Sequence, residues 1–378
     1  MNILIVEASD HYKVLENVYN LIKLNCKNSQ LTFYVNKDKD NKARDLLFPD
    51  SGDAGWIENP LHFSQFFLYL LFFGWKYDVI NISTGPEGTH YSNTLNVLYF
   101  YIVSRIYGKK IVLTIKNTRP YLKNTSGILS SVRSSSLKYL RMMTFETQTL
   151  MEVFHEESKI PFEKLGISYD RYTDLNTVTE KKSNNKTDYL CVIGLLGVVE
   201  SERRNYYEII NALRKTHEDI RSKFLFVTLG NSKGGLDNEI LFELSQLSKV
   251  DITEGWISAE EFEKRGILCD VLISPLKKEM EYGTYKGSGT FGDAIYLRKK
   301  LIIPSYTDPR KEFSEISMYY DSIDGLANIF NTIKDGFDNK ITEDFYIKFT
   351  TKTIYKNLTK KFYKNKKSGE ASCSGSNI

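Results

Sequence analysis

At 378 residues the chain is long enough for two domains of ordinary size, each burying its own core. Its 51 Lys and Arg against 47 Asp and Glu leave a formal charge of +4, and 26% charged beside 41% hydrophobic residues is the balance of a globular protein. Wholesale disorder, collagen-like repeats and strongly acidic classes are excluded, and the 13% aromatic content reads as large cores rather than as ligand stacking. Cys26, Cys191, Cys269 and Cys373 are too scattered for a zinc site or a disulfide framework, as expected of a protein in a reducing compartment.

The first apolar run, Asn2 to Glu7, is too short for the core of a secretory signal and reads as a buried strand. A helix over Tyr12 to Leu24, a strand over Leu31 to Val35, a helix over Leu61 to Phe73 and a strand over Asp78 to Ile82 follow. The alternation continues with a helix at Leu95 to Tyr107, a strand at Lys110 to Thr114, a helix at Ile128 to Leu140, and strands at Met142 to Phe145 and Gly166 to Tyr169. Short strands alternating with helices indicate βαβ units on a parallel sheet. The longest apolar stretch, Phe66 to Trp75, is about half of what a membrane-spanning helix needs; the helix Phe63 to Trp75 is expected to be fully buried in the core, with an apolar contact to a membrane as the alternative.

Residues 171–187 turn polar and lose apolar periodicity, so they read as a linker between an N-terminal domain, 1–170, and a C-terminal one, 188–340. The second domain repeats the pattern: strands at Tyr189 to Ile193, Lys223 to Leu229, Val250 to Thr253, Asp270 to Ile273 and Lys300 to Ile303. Its helices are expected near Asn205 to Arg214, Asn238 to Leu247, Ser258 to Arg265 and Thr290 to Leu297. A long helix, 341–365, bridges back over the domains, and the tail 366–378 has the composition of disorder. Two tandem α/β domains of this kind turn the carboxyl ends of their strands toward one inter-domain cleft, where open parallel sheets bind ligands.

The stretch after the strand at Asp270 carries the most chemistry. Ser274-Pro275 ends the strand, a loop with lysines and glutamates follows, and Lys286-Gly287-Ser288-Gly289-Thr290 opens a helix. Free N–H groups at a helix start, small residues and a nearby lysine suit a diphosphate; a plain turn with Ser288 as helix cap uses the same residues. Nicotinamide binding is disfavoured, because the first strand runs into Glu7-Ala-Ser-Asp10 without a GxGxxG.

Several segments resemble the GT-B glycosyltransferases, family 4 in particular. They are Ile193-Gly194, Arg203-Arg204-Asn205 with Ala212, Gly255, Asp270 to Pro275, Ser288-Gly289, Asp293-Ala294 and Lys300 to Pro304. In the N-terminal half Tyr77 to Ser83 and Tyr107 to Thr114 resemble the acceptor domain. The chain departs from the pattern where Tyr285 stands at the first position of a Glu pair, Leu195 where an Arg is common and Lys116 where a His often ends a strand.

The resemblance implies two Rossmann-like domains and a nucleotide-sugar-dependent transferase in bacterial surface polysaccharide synthesis. The donor, a UDP- or GDP-sugar, would be held by Gly194, Arg203, Arg204, Lys286, Gly287, Ser288, Gly289, Thr290 and Asp293. Ser9, Thr84, His90, Asn117 and Arg119 would face a glycan, lipid-linked or protein acceptor, with Lys116, His11 and Glu87 as catalytic candidates. No metal and no further cofactor is expected, since fixed cations can neutralise a departing diphosphate. Two alternatives share the fold: a nucleotide-sugar epimerase and a non-catalytic partner subunit.

Nine lysines between Lys340 and Lys367, against Glu343 and Asp344, offer an anionic membrane a peripheral contact, which would place a cytoplasmic protein at the inner face of the cell membrane. Nucleic acid is not an expected partner, given the near-balanced charge and the lack of a binding motif.

Overall fold

The structure, a computed structural model, describes residues 1–7, 18–19, 22, 29–36, 55–59, 63–83, 94–122, 128–168, 189–230, 236–253, 255, 257–333 and 341–363. The chain divides into two compact units. The first comprises Met1–Asp170, Tyr285–Gly287 and Thr351–Ile378; the second comprises Arg171–Thr284 and Ser288–Thr350. The expected linker and the expected disordered tail fall outside the described residues.

Seven strands build the sheet of the first unit: β1 (Asn2–Glu7), β2 (Gln30–Asn36), β3 (Gly55–Asn59), β4 (Val79–Ile82), β5 (Ile111–Ile115), β6 (Met142–Phe145) and β7 (Leu165–Ile167). Every pairing is parallel, in the order β3-β2-β1-β4-β5-β6-β7. Central strands of such a sheet are covered on both faces, so β1 and β5 bury nearly continuous aliphatic runs, Ile3 to Val6 and Ile111 to Ile115. Helices α1 (Phe63–Phe73), α2 (Thr94–Tyr107), α3 (Ile128–Leu137) and α4 (Gln148–Ser158) accompany it, and Phe66, Phe67, Phe100 and Phe154 join Leu113 and Phe145 in one core.

Two elements of this unit go beyond the expected set. The edge strand β3 is anchored where Trp56 stacks on Phe33, with ring centroids 4.6 Å apart. Helix α4 is mostly polar and buries chiefly Leu150, Met151 and Phe154, too few to stand out as a period. Its start is fixed by Thr147, whose hydroxyl accepts the Leu150 N–H at 3.1 Å. The expectation that Phe66 to Trp75 is wholly buried needs correction. Phe66, Phe67 and Leu70 are in the core, but Leu68, Phe72, Phe73 and Trp75 are exposed, because a helix on a sheet turns only one face inward.

The second unit has six parallel strands, β8 (Cys191–Leu196), β9 (Phe224–Leu229), β10 (Lys249–Asp251), β11 (Val271–Ile273), β12 (Lys300–Pro304) and β13 (Ser317–Tyr320), ordered β10-β9-β8-β11-β12-β13. Its helices are α5 (Tyr206–Lys215), α6 (Glu218–Arg221), α7 (Leu236–Ser245), α8 (Ala259–Leu268), α9 (Gly289–Leu297), α10 (Ile323–Ile333) and α11 (Glu343–Ile347). Strand β13 and helix α10, also beyond the expected set, close the core with Tyr320 and Phe330. Both sheets are doubly wound, with order reversing between β1 and β4 in one and between β8 and β11 in the other.

The expected long C-terminal helix is two helices. The first, α11, ends before Lys348–Thr350, and α12 (Thr351–Tyr363) then belongs to the first unit. Leu358 of α12 lies on β7 where Gly166 has no side chain; a Cβ there would sit 2.8 Å from the Leu358 Cδ2.

Candidate functional site

In the second unit the switch point lies at the carboxyl ends of β8 and β11, and the chain builds it by tying the two following loops together. The Asn205 N–H donates to the Pro275 carbonyl at 2.7 Å, the Lys277 N–H donates to the Arg203 carbonyl at 3.0 Å, and Arg204 bridges Leu276. One buried carboxylate, Glu200, organises the loop after β8. It accepts from the Arg203 Nε and, at 3.4 Å, from the Arg204 Nη1, which also donates to the Val198 carbonyl at 3.1 Å.

Two guanidinium groups share that buried carboxylate, while the exposed Glu202 beside them brings the loop's formal charge to balance. Burial pulls the Arg203 pKa down, but hydrogen bonds and attraction from Glu200 and Tyr282 outweigh it, and the group stays firmly cationic. Arg204 is 10% exposed, and its Nε is buried without a hydrogen-bond partner among the described residues. Its guanidinium lies on Gly197, where a Cβ would be 2.2 Å from Nη2; with φ at +76° that position also requires glycine for its backbone.

The start of α9 joins the same place. Ser288 caps it, accepting the Thr290 N–H at 3.3 Å and donating to the Thr290 Oγ1 at 2.9 Å. Thr290 in turn meets the Ser274 hydroxyl at 3.2 Å, in a buried contact at the end of β11. Arg203, Arg204, Ser288, Gly289 and Thr290 are thus gathered around two adjoining strand ends, and Asp293 follows one turn into α9, half-buried. Gly194 is elsewhere: it lies within β8, and a Cβ on it would meet Leu272, Leu229 and Cys269 at under 3 Å, so its role there is to let side chains close over the strand. Gly197 is the glycine of the loop. Its positive φ has no local signature in Leu195-Leu196-Gly197-Val198.

Two acids at this end of the unit escaped the sequence reading. Besides Glu200 there is Glu208, in the first turn of α5, which accepts from the Asn205 side chain at 3.0 Å and from the Tyr320 hydroxyl at 2.9 Å. Burial pushes its pKa up against the opposing pull of those hydrogen bonds, with Glu279 adding repulsion. A lone Glu at a helix start looks like an ordinary dipole-favoured surface acid, and only the fold half-buries it.

The first unit makes a different assembly. Strands β5 and β6 end side by side at Lys116 and Glu146, which pair at 3.1 Å and are 15% and 5% exposed. Tyr285–Gly287, from far along the chain, runs antiparallel to this edge. The Gly287 N–H donates to the Lys116 carbonyl at 2.7 Å, the Thr118 N–H donates to the Tyr285 carbonyl at 2.8 Å, and Lys286 bridges Asn117. Tyr285 is gripped at both ends: the Arg119 guanidinium lies 3.4 Å from its ring centroid, and its hydroxyl donates to Glu157 at 2.6 Å. Gly287 has to be small, because a Cβ on it would fall 1.8 Å from the Glu146 Oε2.

So Lys116, Asn117 and Arg119 come together with Lys286 and Gly287, residues that the sequence placed with a different group, while Ser288 onward continues in the second unit. Ser9, His11, Thr84, Glu87 and His90 lie outside the described residues. In the chain they follow β1 and β4, the two strands of the first unit's switch point.

No protein-family profile matches the sequence, and no curated protein matches it. Solved structures match the fold. A glycosyltransferase from Rickettsia africae ESF-5 gives a TM-score of 0.67 at 14% identity, covering 97% of this chain and 99% of that one. HepE from Anabaena, in complex with UDP-glucose, gives 0.62 at 14% identity over 95% and 98%. The UDP-GlcNAc 2-epimerase from Neisseria meningitidis, bound to UDP-GlcNAc, gives 0.55 at 13% identity over 97% and 100%. The chain has the GT-B fold of these glycosyltransferases, with its two parallel-sheet α/β units.

Proposed function

We propose that the protein is a glycosyltransferase that takes its sugar from a nucleotide diphosphate donor, with the diphosphate seated on the second unit. The observation that carries this reading is the loop after β8, where two arginines surround one buried carboxylate beside the start of α9. Transfer breaks the bond between the anomeric carbon and the terminal phosphate oxygen, forms a bond from that carbon to an acceptor oxygen, and leaves negative charge on the diphosphate. Fixed cations and backbone N–H groups that already point at that charge lower the barrier without rearranging.

Arg203 and Arg204 supply the cations, and the first N–H groups of α9 add the positive end of the helix dipole. Asp293 is positioned one turn on to accept from ribose hydroxyls, whereas Lys286, expected from the sequence to join them, stands in the first unit beside Asn117. The first unit supplies the acceptor groups: Lys116, Asn117 and Arg119 at the end of β5, with Ser9, Thr84 and His90 from the switch-point loops. His11 and Glu87 are our candidates to take a proton from the attacking hydroxyl, whereas Lys116 acts as a charge. The acceptor is a glycan, a lipid-linked glycan or a protein, and bacterial surface polysaccharide is the setting in which we place the reaction.

An epimerase is the second reading, since one structure of the same fold is a UDP-GlcNAc 2-epimerase. Incubation with UDP- and GDP-sugars, with and without polyprenyl-linked and free glycan acceptors, separates the two. Sugar joined to an acceptor with release of nucleotide diphosphate supports transfer. Interconversion of the free nucleotide sugars would replace it with epimerisation, and tight binding without turnover would make the chain a non-catalytic partner.

A further inference from the structure

The half-buried carboxylate of Glu208 is held for something other than its own helix. Asn205 stands at the cap position of α5, yet its side chain caps no backbone N–H. It donates instead to one Glu208 oxygen at 3.0 Å, and the Tyr320 hydroxyl, at the end of β13, donates to the other at 2.9 Å. A first-turn Glu that served the helix dipole alone would gain as much while facing water. Here burial and the charge of Glu279 both oppose the ionised form, so the arrangement costs stability that a plain surface acid would keep.

What the carboxylate reaches through Asn205 is the pair of loops at the switch point. Residues 203–205 lie antiparallel to 275–277. The Asn205 and Lys277 N–H groups donate across to the Pro275 and Arg203 carbonyls, at 2.7 and 3.0 Å, and Arg204 bridges Leu276 between them. From the loop after β12, the Tyr306 hydroxyl donates to the Leu276 carbonyl. The two arginines thus come directly before the residue that Glu208 fixes, in a frame built from α5, the end of β13 and the loop after β12. A guanidinium neutralises a departing diphosphate only where its backbone places it, and a displacement of about 1 Å is enough to lose much of the effect.

We infer that Glu208, with Tyr320, is a positioning residue of the diphosphate site: through Asn205 it sets the place of Arg203 and Arg204, and it touches no substrate itself. The inference rests on the proposed seat of the diphosphate in the second unit, and the two fail in different ways.

Isothermal titration of the full chain with inorganic pyrophosphate, UDP, GDP, uridine and guanosine tests it. Glu208→Leu accepts no hydrogen bond and is expected to weaken pyrophosphate and the bound nucleotide about fivefold, the scale of one net hydrogen bond, while nucleoside affinity stays at the wild-type value. Glu208→Gln keeps an oxygen for Asn205 and should retain most of the wild-type affinity. Asn205→Ala should reproduce the loss, and combining it with Glu208→Leu should add little, because both act along one path. Unchanged pyrophosphate affinity in Glu208→Leu overturns the inference, as do equal losses in Glu208→Gln and Glu208→Leu or full additivity with Asn205→Ala. It is also overturned if Glu208→Leu weakens the nucleosides as much as pyrophosphate and lowers the melting temperature, since that is the mark of a structural residue. A wild type that binds neither pyrophosphate nor UDP nor GDP would remove the diphosphate seat itself, and the inference with it.

Discussion

Both units place a buried carboxylate just past a strand of their sheet, and they neutralise it in opposite ways. In the second unit Glu200 is shared by Arg203 and Arg204, so two guanidinium groups meet one buried carboxylate at a switch point. In the first, Glu146 pairs with Lys116 and lies flush against Gly287, a balanced contact that clasps Tyr285–Gly287 to the edge of β5. The lesson is that an ion pair at a strand end does not by itself mark a ligand site. Two guanidinium groups on one carboxylate keep N–H donors to spare for an anion, whereas a one-to-one pair sealed by backbone prepares a joint.

The sharpest way to break this contrast is Arg204→Met, which strips Glu200 of its more buried partner. The second unit should lose about 2 kcal/mol, less than for an uncompensated buried charge because Arg203 still pairs with Glu200, and UDP or GDP affinity should fall at least about tenfold. Calorimetric melts and titrations read both. Arg203→Met should lower affinity similarly with a smaller loss of stability, since its side chain is 38% exposed; wild-type affinity in that variant would mean that this guanidinium serves no phosphate.

Gly287→Ala probes the balanced side. Its new methyl must displace Glu146, which should cost the first unit about 2 kcal/mol, and adding Glu146→Ala should recover part of that loss. Full additivity of the two changes would show that the clasp is not a contact that the pair shares.

Lys286→Ala asks to which assembly that residue belongs. As a phosphate ligand its removal should weaken nucleotide binding by about 1.5 kcal/mol or more. Unchanged affinity in isothermal titration, together with a lower melting temperature of the first unit, would leave it only the ladder with Asn117.

A smaller effect is expected from Glu208. Its raised pKa means that the folded protein holds a proton which the unfolded chain has already released, so the contribution is present at pH below the ordinary glutamate range and is lost as pH rises through the folded value. The stability of wild type relative to Glu208→Gln should therefore fall between about pH 4 and neutrality in urea titrations at several pH values. A pH-independent difference would mean that hydrogen bonds from Asn205 and Tyr320 cancel the cost of burial. The least effect of all should come from EDTA, which is expected to leave turnover intact because arginines neutralise the leaving group; loss reversed by manganese or magnesium would assign that work to a metal.

Much of the architecture follows from the residues in order. Strand and helix periods, the restart of the pattern near Tyr189, and the Ser288 cap are local properties, written in spacing and side-chain type, so parallel sheets could be anticipated from alternation alone. Tertiary structure decided the rest, wherever meaning depended on a distant neighbour. Tyr285–Gly287 joins the first unit because Lys116, Arg119, Glu146 and Glu157 receive it; Gly194 is a packing glycine because Leu272 and Cys269 close over it; and Glu200 and Glu208 matter because the fold removes them from water. The break at Lys348–Thr350 belongs to the same class: a continuous helical period cannot reveal that its two halves pack in different units, since burial is settled by contacts with residues as distant in the chain as Gly166 is from Leu358.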